Sequence, residues 1–121
     1  MIKIRVMKKI TKESCEAFMQ GKEFKKSNMK VKVQGELVGL YLFDNLIAVR
    51  RKGEKAITIS SAGWKTNTTK ERLNGLPWVY LRQKQGEWYV NLRPWDGSPV
   101  RISEHGLVSP IGSIRAKKLG L

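Results

Sequence analysis

One cysteine, one histidine and ten carboxylates among 121 residues set the first limits on what this chain can do. With Cys15 alone no internal disulfide forms, and a lone thiol suits a reducing compartment. A single histidine, His105, builds no metal cluster, and one cysteine gives no zinc-site spacing. His105 sits beside Glu104 in a Gly-flanked loop and reads as a solvated side chain. The Walker-type GxxxxGK[ST], the dinucleotide GxGxxG and the serine-elbow GxSxG are all missing, and carboxylates in the middle of the chain fall singly. The sequence therefore nominates no catalytic residue, metal ligand or cofactor, and a non-enzyme is expected. No apolar run approaches the roughly 18 residues of a membrane span. Lys3, Arg5, Lys8, Lys9 and Lys12 break the opening segment, so no signal peptide is expected and the cytoplasm is the expected location.

Positive charge is plentiful: 24 Lys and Arg leave a formal net charge of +14. Apolar residues make up 40% and charged residues 28%, a composition that suits a soluble folded domain. The excess is uneven. Residues 1–34 hold ten basic and three acidic side chains, and residues 35–104 hold eleven and seven. The last seventeen residues add Arg115, Lys117 and Lys118 with no carboxylate. Such a field favours polyanions and speeds association with acidic surfaces.

Hydropathy patterning predicts one α+β domain: an antiparallel meander and hairpin of five to seven strands with two short helices on one face. Residues 1–7 alternate as a strand. Thr11 is placed to cap a helix running to about Gln20, with Cys15, Phe18 and Met19 as its buried stripe and Gly21 as its stop. A meander follows from Met29 to about Ser60. In it, turns at Gln34-Gly35, Asp44-Asn45 and Lys52-Gly53-Glu54 set Leu42 opposite Ile47, Leu40 opposite Val49, Val49 opposite Ile57 and Ile47 opposite Ile59. Thr68 and Glu71 have capping-box spacing, opening a short helix that Asn74-Gly75 and Pro77 close; Leu73 and Leu76 face the core. Residues 78–84 and 87–93 form a hairpin around Gln85-Gly86, pairing Val79 with Leu92, Leu81 with Val90 and Gln83 with Trp88 on an apolar face. Residues 95–99 are a turn cluster, Val100–Ile102 a short edge strand, and 106–121 an extended basic tail.

Three groups of residues are candidates for binding nucleic acid. The outward hairpin face carries Tyr80, Arg82, Lys84, Tyr89, Asn91 and Arg93, and rings mixed with cations suit single strands, because bases stack while cations meet phosphates. The same face equally fits packing beneath a helix, with its polar ends reaching out. Lys30 and Lys32, with Arg50, Arg51 and Lys52, make a stripe on the meander that also reads as a charge-blunted sheet surface. Lys65, Lys70 and Arg72 surround the start of the second helix, where a phosphate could sit. Trp64, next to them, reads as a core anchor.

The segments AGWKTNTTKERLNGL (62–76), QKQGEWYVN (83–91) and WDG (95–97), with the opening KKITKESCEAFMQGKEFKKSN (8–28), resemble short uncharacterised proteins encoded by tailed bacteriophages. The resemblance spans about residues 8–97. It implies a phage origin and action in the bacterial cytoplasm, and it supplies no catalytic residues. Three roles fit the charge. The first is a protein binding DNA or RNA through its basic and aromatic surface. The second is an interaction protein that inhibits a host nucleic-acid enzyme at an acidic surface. The third is a virion component that neutralises the genome. Oligomeric state has no signature in the sequence.

Overall fold

The computed structural model describes residues 7–121; the strand expected over 1–7 therefore lies outside the described residues except for Met7. The chain is α+β, as its patterning predicts. A seven-stranded antiparallel sheet runs β1 (Phe24–Lys26), β2 (Met29–Gln34), β3 (Leu37–Leu42), β4 (Asn45–Arg51), β5 (Ile57–Ile59), β9 (Val100–Ile102) and β10 (Val108–Pro110) in spatial order. Between β5 and β9 the chain leaves this sheet to form helix α2 (Asn67–Leu73) and a three-stranded sheet of β6 (Leu81–Lys84), β7 (Glu87–Val90) and β8 (Arg93–Pro94). Helix α1 (Lys9–Gln20) opens the described chain and α3 (Ser113–Lys118) closes it. None of these helices is long and apolar enough to cross a membrane.

Helix α1 packs on β1, β2 and β3 and meets α2 at a close seam. It begins earlier than its sequence suggests. Lys8 is the N-cap, without a side-chain bond, and Thr11 lies inside the helix, fully buried. The Thr11 hydroxyl is drawn there by Glu71 of α2, 2.7 Å away. Gly21 does end the helix, left-handed at φ 69° and returning its N–H to the Ala17 and Phe18 carbonyls. The seam is tight: a Cβ on Gly75 would come within 2.5 Å of Thr11 and 2.7 Å of Cys15. Cys15 is buried there, and desolvation pushes its thiol up to about 12.

Helix α2 is capped by Thr66, whose hydroxyl accepts from the Thr69 N–H, and not by Thr68. Glu71 faces the seam and is thereby removed from any capping box. Leu73 and Leu76 are buried as expected.

The meander is present but its register differs. Phe43 and Asp44 form the tight turn, both left-handed (φ 49° and 65°), so Leu42 faces Asn45 and Tyr41 faces Leu46. A bulge then shifts the ladder, and Leu40 faces Ala48 instead of Val49. β5 follows that shift, with Ala48 opposite Ile59 and Val49 opposite Thr58. One inserted residue exchanges the faces of everything beyond it. Val38, Leu40, Ala48, Ile57, Ile59 and Ile102 join the buried core with Phe18 of α1.

The 81–90 hairpin keeps its expected register around Gln85-Gly86. Its second strand stops early. Asn91 and Leu92 turn with φ 48° and 72°, and β8 returns along β7 with Arg93 opposite Val90. Leu92 is consequently 72% exposed instead of facing Val79. β9 is an internal strand between β5 and β10, not an edge, and 106–121 fold back as β10 and α3 instead of trailing as a tail.

Candidate nucleic-acid interface

Residues directly opposite in a ladder share a face of the sheet. Lys32, Gly39, Val49, Thr58, Arg101 and Ser109 therefore form one row across the outer face, away from α1. Lys25, Lys30 and Tyr41 lie in the next row, and Gln34, Leu37 and Arg51 in the row on the other side. Lys25, Lys32 and Arg51 are exposed, while Lys30 and Arg101 are half-buried. At strand spacings of about 4.8 Å, Lys32 and Arg101 stand about 19 Å apart across the sheet. The Lys32 ammonium lies 5.3 Å from the centre of the Tyr41 ring. That ring lies close against position 39, where glycine leaves it room: a Cβ there would reach 3.0 Å from Tyr41 and 2.9 Å from Leu46.

Helix α3 lies over part of this face. Between them is a cleft of about 500 Å³ whose lining includes Arg51, Arg101, Arg115 and Lys118, with Glu54 as its single carboxylate. At the opposite end Lys30 pairs with Asp44 at 2.7 Å. The hydrogen bond and charge of Lys30 hold the Asp44 carboxyl below its ordinary range. Asp44 is exposed, so the pair contributes little to stability, and its carboxylate offsets the charge of Lys30 at this end of the face.

The outward hairpin face is smaller. Arg82 stacks over Tyr89 at 5.6 Å, and Lys84 stands beside them opposite Glu87. Tyr80 is 45% exposed just ahead of the strand. Two expected members are missing from this face. Arg93 pairs with Val90 and so belongs to the other side of the sheet. Asn91 holds the turn, donating to the Trp78 and Gly106 carbonyls at 2.8 and 2.9 Å and accepting from the Tyr80 N–H at 2.8 Å.

Arg50 and Arg72 are not surface cations. The bulge in β4 turns Arg50 onto the α1 side, where it donates to the Phe18 and Met19 carbonyls at 3.0 and 2.5 Å and lies over the Phe18 ring. It thus satisfies the open carbonyl end of α1. Arg72 is 6% exposed in the α1–α2 seam, bonded to Thr11 (3.0 Å), Glu71 (2.9 Å) and Asn28 (3.4 Å). Lys70 instead reaches the Trp88 ring (5.5 Å) and Gln83 (3.4 Å), while Lys65 is exposed against Gly97. Lys65, Lys70 and Arg72 therefore point to three different neighbours and make no common phosphate seat.

Six residues of interest were not singled out as binding residues by sequence. Lys25, Arg101, Arg115 and Lys118 join the outer face; of these only Arg101 carried a local signal, alternating between the buried Val100 and Ile102. Phe43 and Trp64 are 66% and 62% exposed, so Trp64 is no core anchor.

A model of the Kyanoviridae Gp96 protein family matches residues 7–106. The chain belongs to this family. It is a bacteriophage protein, as its resemblance to tailed-phage sequences implied. Within the Kyanoviridae Gp96 match lie α1 through β9, with Lys25, Lys30, Lys32, Arg51, Arg101, Phe43 and Trp64; β10 and α3 follow it. Comparison with curated proteins and with solved structures finds no match.

Proposed function

We propose that this phage protein is a non-enzymatic nucleic-acid-binding protein of the host cytoplasm that holds the phosphate backbone against the outer face of its seven-stranded sheet. The observation that carries this reading is the alignment of Lys25, Lys30, Lys32, Arg51 and Arg101 on one face, with Arg115 and Lys118 of α3 at its border. Lysines and arginines fixed on a sheet meet phosphates without first having to be gathered from flexible tails. The hairpin pair Arg82 and Tyr89, with Lys84, offers a second, smaller contact.

Binding of this kind draws its free energy largely from released counterions and falls steeply with salt. About five phosphate contacts give a log–log slope near −3.5 on a single strand. Fluorescence anisotropy with DNA and RNA oligonucleotides, titrated from about 50 to about 200 mM salt, measures that slope. Absence of binding at the low-salt end overturns the reading and leaves an acidic protein surface as the partner to seek.

A further inference from the structure

Two of the most exposed aromatic side chains in the molecule flank one cleft. The cleft, about 400 Å³, lies between the β3–β4 turn and the approach to α2, and Phe43, Asn45, Trp64, Thr66 and Thr68 are among its lining residues. Both rings stand on fixed backbone. The Phe43 N–H donates to the Asn28 carbonyl at 2.9 Å, and its own carbonyl accepts from Asn45 at 3.3 Å. The Trp64 N–H donates to the Ser61 carbonyl at 2.9 Å, and its carbonyl accepts from the Thr69 hydroxyl at 3.0 Å.

Phe43 is also an awkward residue for its position. It occupies a left-handed turn site at φ 49°, which asparagine or glycine adopts with less strain, and it gains little burial in return. A bulky residue kept in a strained, exposed place is an indication of use. Phe43 also lines a neighbouring cleft of about 420 Å³ with Lys25, Lys30 and Asp44, the carboxylate that Lys30 pairs with. The exposed Lys65 follows Trp64 in the chain and lies against Gly97.

We infer that the Phe43–Trp64 cleft takes an unpaired base of a single-stranded nucleic acid, stacked on these rings, while Lys25, Lys30 and Lys65 meet the adjoining phosphates. This rests on the nucleic-acid reading above and narrows it to single strands. Rings provide a face for any base, and the Asn45 amide and the threonine hydroxyls provide hydrogen-bonding groups in the lining.

The test uses two labelled strands of equal length, one an ordinary DNA oligonucleotide and one abasic, so that charge is constant and only the bases differ. The wild-type protein should bind the ordinary strand about tenfold or more tighter. Phe43→Ala and Trp64→Ala should each remove most of that difference and leave abasic binding unchanged, whereas Trp64→Phe, which keeps a ring, should retain much of it. Because both side chains are exposed, circular dichroism of the variants should match wild type. Equal wild-type affinity for the two strands, or full base preference in both alanine variants, overturns the stacking site and leaves backbone binding standing. Failure of both strands to bind at low salt overturns the nucleic-acid reading itself.

Discussion

Arg50 and Arg51 are neighbours on one strand and have opposite fates. Arg50 is 9% exposed, and its guanidinium caps the carbonyl end of α1; Arg51 faces solvent in a row with Leu37. The same division runs through the whole molecule. In the region between α1, α2 and the inner sheet face, Arg50 and Arg72 are held by carbonyls, a hydroxyl and a carboxylate. On the outer sheet face, Lys25, Lys32 and Arg51 are displayed to solvent. A net charge therefore overstates what a partner can meet, because cations buried in hydrogen bonds contribute to folding and little to the surface.

That division can be broken first at its buried end. Arg72→Met leaves Glu71 with the Thr11 hydroxyl but without its counter-charge in the seam and should destabilise the protein by about 3 kcal/mol in urea unfolding. Cys15 monitors the same seam: buried, with its thiol pushed up to about 12, it should resist thiol reagents at neutral pH in the native protein and react once Arg72→Met loosens the packing. Arg50→Met removes two charge-assisted bonds to α1 and should cost about 1.5–3 kcal/mol. If either variant remains as stable as wild type yet loses oligonucleotide binding, the buried and displayed sets have been assigned the wrong way round.

Phe43 sharpens the contrast from the other direction. Phe43→Asn relieves a left-handed phenylalanine and should stabilise by about 1 kcal/mol in the same assay, while weakening binding to ordinary single strands. Lys32→Gln and Arg51→Gln should each change stability by no more than about 0.5 kcal/mol, as expected for exposed side chains.

The parts of the fold that were legible in sequence are those set by local chemistry. Leu81–Lys84 and Glu87–Val90 alternate cleanly around Gln85-Gly86, and their register follows from that turn. Gly21 stops α1 because a left-handed cap suits glycine. The bulge near Leu46 left no trace, since residues 46–49 are apolar throughout and alternation cannot locate an inserted residue among them. Asn91-Leu92 was read as strand because leucine seldom takes positive φ. The Thr68–Glu71 spacing misplaces the start of α2, because Glu71 turns to Thr11 in the seam and Thr66 caps the helix.

The candidate site divides in the same way. Lys30 and Lys32 were identifiable from their alternation with Val31 and Val33, and Arg51 only as a member of the basic run 50–52. Arg50 was assigned to the wrong face by the unseen bulge. Arg101, Arg115 and Lys118 come to the same surface from the far end of the chain, and no local pattern links them to β2. Trp64 looked like core because tryptophan is usually largely buried.

The most direct measurement compares the two surfaces by their salt dependence. Lys32→Gln/Arg51→Gln/Arg101→Gln removes three cations from the outer sheet face, and Arg82→Gln/Lys84→Gln removes two from the hairpin. On a single-stranded oligonucleotide, the sheet variant should flatten the log–log salt slope by about 2, at about 0.7 per lost phosphate contact, and the hairpin variant should change it by less than about 1. An unchanged slope in the sheet variant, with a large loss in the hairpin variant, would contradict the placement of the binding face on the seven-stranded sheet.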